Sequence, residues 1–358
     1  MIISCTKKLQ DELKIKLEKA ENQDLLFSWH ANLINVNRRK TIVLVNDATR
    51  YCIILYGLKA KDFKRFTDNI SEYIKQAMIA ELINPEVIDK YISDCGECTL
   101  SKTNDRSLIS RLNKGCGYAE IQRNYFVDNS IIQSLASKKV NYKMSVDFNN
   151  SRTNATELFY EALTKHYGIT AFKITAIIMN IRLNFEEMNV WRKVAVPANT
   201  TFSDFHKIIQ YLFNWKNYHM HEFEILDEEK TVARIVMSKD DIENCTHESI
   251  VLESQSKLTD YIPKYKKLLY TYDFGDNWEH IIEIENIQLD YDKNYSSCLD
   301  GEGDSPPEDV GGEYGYYDFL DIIKNPSHED YMETKMWAIG QHWCEFKIGF
   351  VNWYLQMP

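Results

Sequence analysis

The chain has 358 residues, 44% of them hydrophobic and 27% charged, a length that suits two globular domains better than one. Its net charge of −11 is uneven, +5 over residues 1–168 and −16 over residues 169–358, so the second half disfavours nucleic acid and the first has no basic footprint. No run reaches the ~18 apolar residues of a membrane span, the N-terminus turns charged too early for a signal peptide, and eight scattered cysteines read as reduced thiols in a cytoplasmic chain.

Residues 7–19 place Leu9, Leu13 and Leu17 at four-residue spacing and predict a helix. Two β-rich runs follow, 41–45 and 51–56, and the short polar connection between them predicts a hairpin. A helix is expected over about 61–80, and another from Pro85, whose fixed φ suits a first helical turn. Residues 95–118 are polar and punctuated by glycine, and are read as loop with at most a short helix. The stretch 149–155 is linker-like, and the helix 156–166 behind it stops at Gly168. The boundary is placed there, giving domains 1–168 and 169–358.

In the second half, 172–181 and 191–196 are β-type runs, and Thr200 or Thr201 caps a helix through Phe213. Strands are expected near 221–226, 232–237, 267–273 and 279–287. An acidic, glycine-rich loop over 298–315 precedes C-terminal helices. Neither half alternates strand and helix as a doubly wound sheet does. Both are therefore expected to be α+β, each with a mixed or antiparallel sheet packed against helices.

Three segments of the second half stand out: VWRKVAVP at 190–197 with Phe202, His206 and FNWKNYHMHEFEI at 213–225; YTYDFGDNWEH at 270–280; and CLDGEGDSPPEDVGG at 298–312, followed by Gly315, Tyr316, Phe319 and Leu320. Together they resemble the plasmid pRiA4b ORF-3-like family over roughly the last half of the chain. One departure follows Trp337 and Gly340, where the family runs into a Phe-Asp-Pro-containing stretch and this chain has QHWCEF at 341–346. The resemblance implies a family of bacteria and archaea associated with insertion elements and plasmids, without an agreed activity. The first half, through FSWHAN at 27–32 and VNDATRY at 45–51, is similar to a bacterial domain family of unknown function.

Seven carboxylates crowd the third segment: Asp300, Glu302, Asp304, Glu308, Asp309, Glu313 and Asp318. Such crowding is unfavourable unless cations or donors offset it, so a hard divalent metal is one reading and a solvated, helix-capping loop the other. His219 and His221 share a strand face by the period of two, with Phe223 and Ile225 beside them. They and His280 read as core histidines, or with Cys298 and Asp304 as metal ligands. Asp273 and Asp276 flank a tight turn, after which Trp278, His280 and Ile282 are expected to face the core, with Tyr272 and Phe274 on one face. Arg192 can fork onto a carboxylate. Cys95 and Cys98 form a CxxC whose only further partner in range is Cys116. Trp29 and His30 show no nucleophile or base partner and read as packing or an interaction surface.

Two functions fit these residues. One is a binding or regulatory module for a protein or small-molecule ligand, with Arg192, Asp273, Asp276, Trp278, His280, Glu308 and Asp309 lining its cleft. The other is a metal-dependent hydrolase, in the nuclease class, in which Asp273, Asp276, Asp304, Glu308 and Asp309 hold a divalent ion that activates water. The acidic balance favours the first. The three family segments are expected to converge around one cleft.

Overall fold

The computed structural model describes residues 1–20, 24–103, 105–148, 151–238 and 250–357. Cys245 and the first two residues of the linker-like stretch, Asn149 and Asn150, lie outside them. The chain forms two compact units, one built on Met1–Lys173 and the other on Ile174–Tyr291 with Tyr295–Gln356. Each is α+β, with a sheet packed against helices. Among the described residues no helix is long and apolar enough to cross a membrane.

In the first unit β1 (Ile2–Cys5) lies parallel between β2 (Ser28–Val36) and β5 (Thr99–Lys102), and β3 (Arg39–Asn46) and β4 (Cys52–Tyr56) extend the sheet antiparallel from β2. The expected hairpin is β3–β4. Strand β2 was not anticipated, although its residues 28–33 alternate polar and apolar as a strand does; both of its faces are largely buried. One face, with Ile3, Trp29, Ala31 and Leu44, packs on α3 (Phe66–Ala80), α4 (Pro85–Cys95) and α7 (Ala155–Tyr167). The other, with Val43, Val45, Cys52 and Ile54, packs on α5 (Arg106–Ile121) and α6 (Ser134–Lys143).

Four expectations need correction here. The first helix, α1 (Lys7–Leu13), ends six residues early, because Lys14 turns left-handed and its N–H closes onto the Gln10 and Asp11 carbonyls. The helix expected over 61–80 breaks at Arg65 into α2 (Ala60–Lys64) and α3. The loop expected over 95–118 holds β5 and most of α5. Asp105 caps that helix by accepting the Ser107 and Leu108 amides. Gly115, read as a breaker, is what lets α5 approach the sheet: a Cβ there would sit 3.2 Å from the Val45 side chain. The CxxC makes no three-cysteine site. Cys95 and Cys98 belong to one face of the sheet and Cys116 to the other.

The second unit is an eight-stranded sheet in the order β12-β11-β10-β13-β14-β8-β9-β15, antiparallel except for the β11–β12 pair. The strands are β8 (Ile174–Leu183), β9 (Trp191–Pro197), β10 (His221–Asp227), β11 (Lys230–Val236), β12 (Ile250–Leu252), β13 (Lys267–Tyr272), β14 (Trp278–Tyr291) and β15 (Ser297–Glu302). In β10 every second residue, His221, Phe223 and Ile225, is buried. That face packs on α8 (Phe202–Phe213), which Thr201 caps by accepting the Asp204 amide. Helices α9 (Gly312–Ile323), α10 (Tyr331–Gly340) and α11 (Ile348–Leu355) complete the cover. Trp278, His280 and Ile282 form the expected buried stripe on β14, but Phe274 is half exposed in the turn and does not share the buried side of Tyr272. The acidic stretch 298–315 is not all loop: its first residues pair with β9 as an edge strand, a position where charge is favoured.

Ala171 and Phe172 are buried in the first core, so a fragment beginning at Ile174 removes no side chain of the second core. This fragment is expected to unfold cooperatively in urea with a dispersed NMR spectrum. Aggregation or a featureless melt would show that the second unit needs the first.

Candidate functional site

The register of the second sheet brings three sequence-distant segments to one end of it. His221 of β10 pairs with Tyr272 of β13, and Tyr272 pairs with Trp278 of β14. The residues just before β10, the turn 273–277 and the loop 303–311 before α9 therefore meet. Asp273 holds the turn: its Oδ1 accepts the Gly275 amide at 3.0 Å, and its own N–H binds the Met220 carbonyl. Asp276 accepts the Gly311 amide at 3.1 Å. Gly312 has φ +70°, and a Cβ there would stand 3.0 Å from the Asp276 carbonyl, so the two loops touch backbone to backbone.

His219 lies at the centre, two residues before the buried start of β10. Its Nε2 is 3.0 Å from Asp309 Oδ1 and 3.5 Å from both Asp273 Oδ2 and Glu308 Oε2. Yet that nitrogen is buried and meets none of them in hydrogen-bonding geometry. One ligand atom from each of His219, Asp273 and Asp309 falls within 4.8 Å of the others. Glu308, behind them, is buried and accepts the Lys216 amide at 2.6 Å and the Tyr272 hydroxyl at 3.0 Å. That hydroxyl in turn accepts the Tyr218 amide, and burial followed by the Glu308 charge holds Tyr272 well above the usual phenol range. Asp273 and Asp309 both adopt positive φ, +54° and +59°, a conformation that Asp tolerates better than most residues and that gathers at functional sites. A polar cleft of ≈480 Å³ opens beside the turn, lined by Glu186, Asp276, Glu279 and Glu313 and by no lysine or arginine.

The other carboxylates of the third segment go elsewhere. Asp304 accepts the Phe346 amide, Glu302 faces Asn189 and Trp191, and Glu313 accepts the Glu186 amide. Donors thus disperse much of the expected crowding. Among the described residues Arg192 forks onto no carboxylate. It is buried and donates to the carbonyls of Leu212, Trp191, Glu302 and Gly303 and to the Ser305 hydroxyl, while its plane lies 3.6 Å from the Phe346 ring centroid. Burial lowers its pKa to about 10. Cys298 sits in the same region, its thiol pushed up to about 11 by burial and bonded to the Asp300 carbonyl. Neither Cys298 nor Asp304 is among the three residues that could share an ion.

Residues 175–353 match the family model for plasmid pRiA4b ORF-3-like proteins. The chain belongs to that family. Residues 2–156 match a second model, a domain of unknown function, DUF6933. The chain is 31% identical over 164 residues to the uncharacterised protein y4hQ of Sinorhizobium fredii, covering 46% of this chain and 81% of that protein. It is similar as well to the crystal structure of protein of unknown function MM3350 from Methanosarcina mazei, with 33% identity, a TM-score of 0.42, and 49% of this chain against 96% of that one covered.

The pRiA4b ORF-3-like half also holds a histidine network. The rings of His206 and His221 stack at 3.4 Å and 1°. His206 binds the Tyr270 hydroxyl and the Asn217 side-chain oxygen, each at 2.7 Å, and His221 Nε2 binds Glu253 at 2.7 Å. His221 thus faces α8 and Glu253, away from the His219 cluster, although the period of two groups them. Glu253 was missed, because it stands in no pattern that sequence spacing reveals, and Tyr272, part of YTYDFGDNWEH, was not read as a site residue. His280 is fully buried and uses Nδ1 on the Trp278 carbonyl.

Burial, then the neighbouring His221, lowers His206 to about 4, and burial lowers His280 to about 3. Both are neutral when folded and bind protons more readily when unfolded, near 6.5. Stability is therefore full above pH 6.5 and falls as the pH drops from there toward 4, by an amount on the order of a few kcal/mol. Urea midpoints measured across that window are expected to fall, and His280→Gln to flatten the slope. A separate outcome concerns Arg192. Arg192→Met leaves several buried carbonyls without donors and is expected to cost about 3 kcal/mol or more in denaturant unfolding.

Proposed function

We propose that the pRiA4b ORF-3-like half is a binding module whose site takes a divalent cation through His219, Asp273 and Asp309, with Glu308 behind them. The observation that carries this reading is the His219 Nε2 atom, buried, without a hydrogen bond, and 3.0–3.5 Å from three carboxylate oxygens. An ion seated among these atoms would accept the imidazole lone pair and offset the carboxylate charge. One nitrogen with several oxygens suits Mn²⁺ or Zn²⁺ better than the all-oxygen preference of Ca²⁺. Tyr218, Met220 and Phe274, adjacent in sequence to His219 and Asp273, are exposed and offer apolar contact to whatever approaches the ion.

A hydrolytic role would use the same ion to activate water, so ion binding is the common first test. Calorimetric titration of the metal-stripped protein with MnCl₂ and ZnCl₂ is expected to show one saturable site. Asp309→Asn and His219→Ala are each expected to weaken it at least about tenfold, the cost of one charged ligand contact. At an ion concentration near 100 times Kd the melting point should rise, in line with about 2.7 kcal/mol of added stability. Absence of saturable binding, or binding unchanged in both variants, would refute the site.

A further inference from the structure

The first unit carries a separate polar site at one end of its sheet. His30 of β2 is buried, and its Nδ1 lies 2.7 Å from Asp47 Oδ1 in the turn after β3. An ionised carboxylate accepts only, so the imidazole donates from Nδ1, and Nε2 is left with a lone pair when neutral or an N–H when charged. That Nε2 is buried with no hydrogen-bond partner. An orphaned polar atom on a 3% exposed side chain calls for an explanation.

Two guanidiniums stand nearby. Arg111, one helical turn before the Gly115 that seats α5 on the sheet, donates to the Asp47 carbonyl at 3.1 Å. Arg50 is in the same turn as Asp47, its N–H on the Asn46 carbonyl and its φ at +66°. Among the described residues neither arginine forms an ion pair. Arg50 is lowered from its ordinary value by burial and then by the charge of Arg111, so the two cations lie within range of each other. Asp105, an acid within range of Arg111, has one carboxylate oxygen committed to the Ser107 and Leu108 amides. It is exposed and lies within electrostatic range of His30 as well. In the sheet register His30 lies beside Ser4, and Ser4 beside Ser101, so the row stays polar toward β5.

We propose that His30, Arg50 and Arg111 form a binding site for a small oxyanion, a phosphate or carboxylate group, with Asp47 as the positioning residue that directs the His30 Nε2–H toward it. The anion would supply an ion-pair partner for the two arginines and the acceptor that Nε2 lacks. Its binding would therefore draw a proton onto His30.

Histidine-selective ¹⁵N labelling of the full chain reads this directly. On titration with sodium phosphate at constant ionic strength, the His30 Nε2 resonance, assigned by its loss in His30→Gln, is expected to move toward the protonated position and saturate. Sodium chloride should not move it, and acetate in a parallel titration tells a general oxyanion site from a phosphate-selective one. Arg111→Gln and Arg50→Gln, whose folding is checked by their melting points, are each expected to weaken the titration roughly tenfold, as the loss of one charged hydrogen bond would. A His30 resonance that does not saturate, or one that saturates equally in both arginine variants, would overturn the proposal.

Discussion

The second unit depends on how the backbone that leaves β15 is kept in place. From Glu302 to Pro306 five consecutive carbonyls each accept a hydrogen bond from a side chain. Arg192 takes the first two, Tyr316 that of Asp304, Trp343 that of Ser305 and Trp215 that of Pro306. A buried carbonyl left unpaired costs about 1–3 kcal/mol, so these donors are the condition on which an irregular segment can lie against the core. Everything downstream follows from it. Glu308 and Asp309 leave this segment two and three residues later, and their positions opposite His219 are inherited from it.

The same arrangement accounts for the odd composition of the family segments. Arg192 presents five N–H donors in a rigid fork, so one side chain of β9 can bind carbonyls on both of its sides. The two tryptophans each bring one donor on a large apolar body. The residues that replace the family's usual stretch near 341–346 join in, since Trp343 is one of the donors and Phe346 stacks on the guanidinium.

Much of this was legible in the sequence and some was not. The alternation of His221, Phe223 and Ile225 and the Thr201 cap are local signals, and the strands and helix they predict are present. The approach of His219 to Asp273 and Asp309 was expected from the polar residues of the three family segments, but the strand order that brings it about is not encoded in spacing. The reading of Arg192 as a carboxylate fork failed because carbonyls, present at every residue, leave no mark in composition. Strand β5 was hidden because it pairs only at long range, whereas β2 alternates polar and apolar residues over 28–33 and was still not read as a strand. His30 was read as having no partner because Asp47 lies 17 residues away, on the adjoining strand's turn.

The row of carbonyls matched one to one with donors has a consequence for how the segment can change over evolution. Inserting or deleting a single residue would shift every later carbonyl away from its donor at once, whereas replacing a side chain leaves the matching intact. Selection on this stretch should act on its length far more strongly than on the identity of most of its residues, glycines apart. Gly303, where a Cβ would lie 2.5 Å from the Asn189 carbonyl, marks where that freedom stops.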